Sequence, residues 1–140
     1  MKQLLLITCL LLCSCNEKKQ DPLFLIENFF SQFENEGIDY ALDQIVSANE
    51  WSMESSDVEN VKLVLNEYLQ YAGNYEGYEL IFKRQIGKSI EQYSYLVKYE
   101  RQFLRFSFIF YYASNSWRLH DFKFDTNIID EIKESSRFYY

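Results

Sequence analysis

The sequence predicts an α+β domain: three N-terminal helices packed on a curved four-stranded antiparallel sheet, with a short C-terminal helix. Three observations lead there. The apolar period changes from about 3.6 to about 2 at Gly73, a switch from helical to strand patterning. Residues 75–124 then hold 15 of the aromatic side chains, and aromatics favour the pleated surface of a sheet. The chain has 140 residues, 48% of them hydrophobic and 25% charged, with one Pro, which suits one compact domain and not a disordered tail.

Each element has its own local reason. Asp21-Pro22 opens the first helix, because Asp caps free N–H groups and Pro lacks the N–H that would go unpaired at the first position. Leu23, Ile26, Phe30 and Phe33 recur at helical spacing, widened by Leu25 and Phe29, and Gly37 stops the run. In the second helix Ile38, Ala41, Leu42, Ile45 and Val46 share a face. A short strand is expected near Trp51 to Met53. Ser56-Asp57-Val58-Glu59 matches a capping box, and Val58, Val61, Leu65, Tyr68 and Ala72 form the stripe of the third helix.

The four strands follow. Tyr78, Leu80, Phe82 and Ile86 alternate on one face of the first. Gly87-Lys88-Ser89 turns into the second, where Tyr93, Tyr95, Val97 and Tyr99 alternate. Phe106, Phe108, Phe110 and Tyr112 mark the third, and Ala113 to Ser116 turn into the fourth. There Trp117 and Leu119 are out of phase with Phe122 and Phe124, so a β-bulge is expected near His120-Asp121. Ile128, Ile129 and Ile132 suggest the final helix, before an aromatic end, Phe138-Tyr139-Tyr140.

The first residues carry an address. Lys2 is followed by an apolar run, Leu4 to Leu12, too short to span a bilayer core of about 30 Å but suited to a secretory signal. Leu12-Cys13-Ser14-Cys15 resembles the lipobox of bacterial lipoproteins, in which a Leu precedes an invariant Cys by three positions. The resemblance implies a signal peptide over 1–14, a diacylglycerol thioether on Cys15 and a polar tether over 15–20, leaving 21–140 as the domain. All three Cys lie in this segment, so the mature chain would have no disulfide and would depend on its core. Such a protein is anchored in the bacterial cell envelope through its lipid. Asn16 after the Cys is similar to the outer-membrane pattern of enteric lipoproteins, so the outer membrane is favoured in a host that has one.

Three helices followed by an antiparallel meander, with Trp117-Arg118-Leu119 leading into an aromatic last strand, resembles the NTF2-like (cystatin-like, α+β cone) superfamily over residues 21–124. That resemblance implies helices closing a cone-shaped sheet. It leaves function open, because the superfamily includes isomerases, dehydratases, transport factors and lipoproteins.

Chemistry-bearing patterns are few. The net charge of -7 argues against non-specific nucleic-acid binding. His120 is the sole His and no EF-hand spacing occurs, so neither a metal nor a cofactor is expected. Gly87-Lys88-Ser89 is no phosphate loop, since Phe82 stands where the first Gly belongs. His120 and Asp121 are the candidate acid–base pair, because the superfamily's isomerases and dehydratases abstract protons with an Asp or His in the cone. The plainer reading is a bulge that ends pairing. Tyr78, Arg84, Tyr93, Tyr95 and Tyr99 are the candidate ligand-binding set on the concave face, with plain core packing as the alternative. Ile109 and Tyr111 fall on the outer face, a candidate surface for a protein partner or homodimer. Three functions are therefore expected to compete: a lipid-anchored module binding an apolar small molecule or a protein, an isomerase or dehydratase, and an acidic inhibitor or immunity-type lipoprotein.

Overall fold

The structure is a computed structural model that describes residues 21–47, 55–129 and 132–133. The expected signal peptide, Cys15, the expected tether, the expected strand near Trp51 to Met53 and the aromatic end Phe138-Tyr139-Tyr140 lie outside the described residues.

Three helices precede four strands: α1 (Pro22–Glu36), α2 (Ile38–Ser47), α3 (Ser55–Ala72), β1 (Tyr75–Ile86), β2 (Ile90–Tyr99), β3 (Phe103–Ala113) and β4 (Ser116–Asp125). The strands form one antiparallel sheet in the order β1-β2-β3-β4. The expected C-terminal helix is not among the elements. What is described of it is one helical hydrogen bond, from the Ile132 N–H to the Ile128 carbonyl at 3.0 Å.

Local chemistry explains the helix ends. The Asp21 carboxylate accepts the Phe24 N–H at 2.8 Å, and Pro22 occupies the first turn. Gly37 ends α1 at φ +91°, a backbone region that disfavours a side chain, and its N–H bonds the Phe33 carbonyl at 3.1 Å. Helix α3 starts at Ser55, so Ser56, the expected cap, lies inside its first turn. Gly73 ends α3 at φ +83°, where an added Cβ would come within 3.0 Å of the Glu100 Cβ. That close approach brings the end of α3 against the β2–β3 turn, and the Arg101 N–H bonds the Ala72 carbonyl at 3.0 Å.

Helical faces largely follow the periodicity, with two corrections. In α1 the buried residues are Pro22, Leu25, Ile26, Phe29 and Phe30, while Leu23 is exposed. In α3, Val58, Leu65 and Ala72 are buried, but Tyr68 is exposed and only leans its ring edge on Phe124, 5.9 Å away.

Bulges set the sheet's phase. Asp121 pairs with Ile109 and Leu119 with Phe110, which leaves His120 as the extra residue. This is the slip expected in β4, and it returns Phe122 to the core. Strand β1 holds an irregularity that the alternation did not reveal. Leu80 pairs with Tyr95 but Phe82 pairs with Ser94, so Ile81 is extra. Beyond it, Lys83 shares the helix-facing side with Tyr93, and Phe82, Arg84 and Ile86 turn to the outer face. A continuous stripe of Tyr78, Leu80, Phe82 and Ile86 is thereby corrected to two half-stripes on opposite faces.

Helix α1 runs along the inner face of the sheet. Phe33 meets Tyr75, and the Tyr75 hydroxyl donates to Glu34 at 3.0 Å. Phe30 stacks on Tyr78 at 3.7 Å, and Phe29 packs on Phe108 and Phe122 at 5.2 and 5.9 Å. The C-terminal end of α1 therefore lies beside the start of β1. Its N-terminus extends about 12 Å further from Phe30, toward the β1–β2 turn.

Candidate functional site

The inner face of the sheet is filled by rings. Phe29, Phe30, Phe106, Phe108 and Phe122 are all buried, with neighbouring centroids between 5.1 and 6.4 Å apart, mostly edge-on or tilted. Such arrangements pair the positive ring edge with the negative face and leave little space between them. Tyr95 belongs to the same packing, 5.3 Å from Phe30 and 6.1 Å from Phe108. The candidate Tyr set is brought together on this face, with Tyr93, Tyr95 and Tyr99 buried and Tyr78 at the rim. Arg84 is not part of it. The Ile81 bulge places Arg84 opposite Gln92 on the outer face, with its guanidinium 5.6 Å from the Phe82 ring centroid.

Toward the β1–β2 turn the inner face becomes polar. Glu91 is buried, and its carboxylate accepts the Tyr93 hydroxyl at 2.6 Å and the Lys83 ammonium at 3.1 Å. The Lys83 ammonium also sits 5.1 Å from the Tyr93 ring centroid. Burial pushes the Tyr93 hydroxyl up to about 12, with the bond to Glu91 adding to it and Lys83 opposing it. Alternation could not have exposed this trio, because Lys83 reaches the inner face only through the bulge.

Tyr99 differs. Its hydroxyl is buried, finds no hydrogen-bond partner among the described residues, and is held far above the ordinary tyrosine range by burial. Because only burial raises it, this pKa leaves stability unchanged below about pH 10 and lowers it as pH rises from there toward the folded value, since the unfolded chain ionises first. Tyr99→Phe should therefore be neutral or stabilising by up to about 1 kcal/mol near pH 7, since it removes an unpaired buried hydroxyl. It should also move alkaline unfolding, followed by circular dichroism, to higher pH. A variant that unfolds at lower pH than the parent would refute this account.

His120 and Asp121 do not converge on the concave face. His120 is exposed at the bulge, and Asp121 pairs with Lys123 at 2.9 Å on the outer face. Two further ion pairs cross that face, Lys98 with Glu79 and Arg105 with Asp125 at 2.6 Å. Ile109 is half-buried there, while Tyr111 is exposed near the strand end.

One cavity, of about 290 Å³, lies between α1 and α2, lined by Leu25, Phe29, Ile45 and the polar Asn28, Gln32 and Gln44. It borders Ser47, where the described residues break off. Among the described residues no cluster of three or more His, Cys, Asp or Glu is placed to hold a metal, and no helix is long and apolar enough to cross a membrane.

Sequence reading had not pointed to the outward side of α3. Leu63, Val64, Tyr68 and Tyr71 are 66%, 47%, 42% and 73% exposed on successive turns. The helices that form this layer are acidic: α3 carries Asp57, Glu59 and Glu67, α2 carries Asp39 and Asp43, and α1 carries Glu27, Glu34 and Glu36. Lys62 is the one cation of the three helices, and it is bound by Asp43 at 2.6 Å and Glu59 at 2.7 Å. The signal was present in the sequence as apolar residues at 63, 64 and 71 outside the core stripe. Comparison with known protein families, with curated proteins and with solved structures finds no match to this chain.

Proposed function

We propose that this chain is a lipid-anchored protein of the bacterial envelope whose NTF2-like domain is a non-catalytic module for binding another protein. The anchor reading rests on the lipobox-like Leu12 to Cys15. The observation that carries the binding reading is the exposed apolar row on α3, set in an acidic helical layer. Large apolar side chains exposed together on a surface favour a protein contact. An acidic rim favours a partner with Lys and Arg around an apolar patch, since complementary charge speeds encounter and rejects wrong partners. The acidic inhibitor alternative thus merges with this reading, because both use the same face.

The small-molecule form of the reading has less support, because packed rings occupy the inner face where the Tyr set lies. The isomerase or dehydratase form has less again, since His120 and Asp121 point away from that face. The outer sheet face, an expected site for a partner or second copy, is crossed by ion pairs.

Photo-crosslinking in the host tests the proposal. A photoreactive amino acid at Tyr71 or Leu63 of the full chain should give a discrete adduct. The same group at Lys98, on the far side of the sheet, should not. The adduct should fade when Glu67 and Glu59 are changed to Lys. Equal labelling at all three positions, or none at Tyr71 and Leu63, would remove α3 as the binding surface.

A further inference from the structure

Two ridges run along the outward side of α3. Leu63, Glu67 and Tyr71, spaced by four, form one, and Val64 and Tyr68 form the next. All five are exposed. Glu67 thus stands within the apolar row, one turn after Leu63 and one turn before Tyr71. Asp57, also exposed, lies two turns before Val64 on the same side. Among the described residues neither carboxylate touches a cation or a hydrogen-bond donor. Lys62 is turned to the buried side of α3 and is held by Asp43 and Glu59.

A surface closing over this row would take Glu67 out of water, which is costly unless a cation arrives with it. The occupant therefore has to bring Lys or Arg into the middle of its apolar contact. Arg suits the place well, because its planar guanidinium pairs with a carboxylate and also lies on a tyrosine ring. A second copy of the chain suits it badly. A two-fold contact through α3 would set Glu67 and Asp57 of both copies against each other.

Backbone chemistry selects the shape. The row lies in the interior of α3 (Ser55–Ala72), where N–H and C=O groups are used within the helix. An extended segment laid on it would find no backbone partner there, whereas a helix brings its own bonds already made. The groove between ridges spaced by four accepts the ridge of a second helix at an axial distance of about 8–10 Å. From Leu63 to Tyr71 the row is about 12 Å long, enough for two turns of such a helix.

We infer that the α3 row receives an amphipathic helix of the partner protein, whose apolar stripe carries a Lys or Arg that pairs with Glu67. The inference rests on the protein-binding reading above and adds to it the shape and charge of the partner's segment.

The test uses the full chain in the host, with benzoyl-phenylalanine at Val64 or, separately, at Tyr71. These positions are seven residues apart, about 10 Å along α3. Mass spectrometry of the adducts maps both attachment points. The expected result is two points about seven residues apart in one segment of the partner, with a Lys or Arg between them. Glu67→Lys should lower the yield at Tyr71 about tenfold or more, and Glu67→Gln should lower it less. Changing the mapped cation of the partner to Glu should restore the yield with Glu67→Lys. Glu76→Lys, an equal change of net charge at an exposed position of β1, should leave the yield as it was. An extended partner would instead place the points about three residues apart. That spacing, attachment to a second copy of this chain, or a yield that Glu67→Lys does not lower would overturn the basic helix while leaving α3 as the contact surface. No adduct at either position would remove the α3 surface and this inference with it. Matching circular dichroism of the variants separates a lost contact from a lost fold.

Discussion

Phe108→Ala should cost about 3–5 kcal/mol of folding stability, the range expected when a fully buried phenylalanine is replaced by a cavity. Phe108 is fully buried, and its ring touches those of Phe29, Phe30, Tyr95, Phe110 and Phe122 within 5.1 to 6.4 Å. Those five come from α1 and from all three of the strands β2, β3 and β4, so no single element can close the void by shifting. A domain of this size has about 5–15 kcal/mol in total, and the mature chain would have no disulfide to offset the loss. Urea denaturation followed by circular dichroism should show a much lower midpoint with an unchanged slope. Phe103→Ala, on an exposed ring at the start of β3, should lie within about 1 kcal/mol of the parent. Similar losses for the two variants would show that the inner face is not packed as described.

Cys15→Ser should have the largest effect on where the protein is found. A hydroxyl cannot replace the thiolate as nucleophile toward a diacylglycerol donor at neutral pH, so the variant should gain no lipid mass and keep residues 1–14. The parent should partition into detergent and into the membrane fraction, because two acyl chains suffice for stable anchoring and one does not. Metabolic labelling with a fatty acid, followed by mass spectrometry of the N-terminal peptide, reads both outcomes. A Cys15→Ser chain that still incorporates label would place the modification elsewhere and remove the basis of the anchored reading.

Much of the architecture was legible because it depends on local chemistry. Asp21-Pro22 and Gly37 bound α1 since caps act within a few residues. The switch of period at Gly73 separates helices from sheet for the same reason. Even the β4 bulge was visible, because Leu119 and Phe122 cannot both face the core without an extra residue between them.

Where phase depended on a partner strand, the sequence was silent. Ile81 looks like any strand residue, and only its pairing with β2 makes it the extra one, which sends Arg84 outward and brings Lys83 to Glu91 and Tyr93. The C-terminal stripe of Ile128, Ile129 and Ile132 met the helical period, yet among the described residues it amounts to one helical hydrogen bond, from Ile132 to Ile128, and no element is described there. The candidate sites divide in the same way. The proposed anchor rests on a short contiguous pattern, Leu12 to Cys15, that needs no folded neighbourhood to be seen. The α3 row is assembled from residues whose exposure depends on what packs beside them, and exposure is a property of the folded neighbourhood, not of the residue.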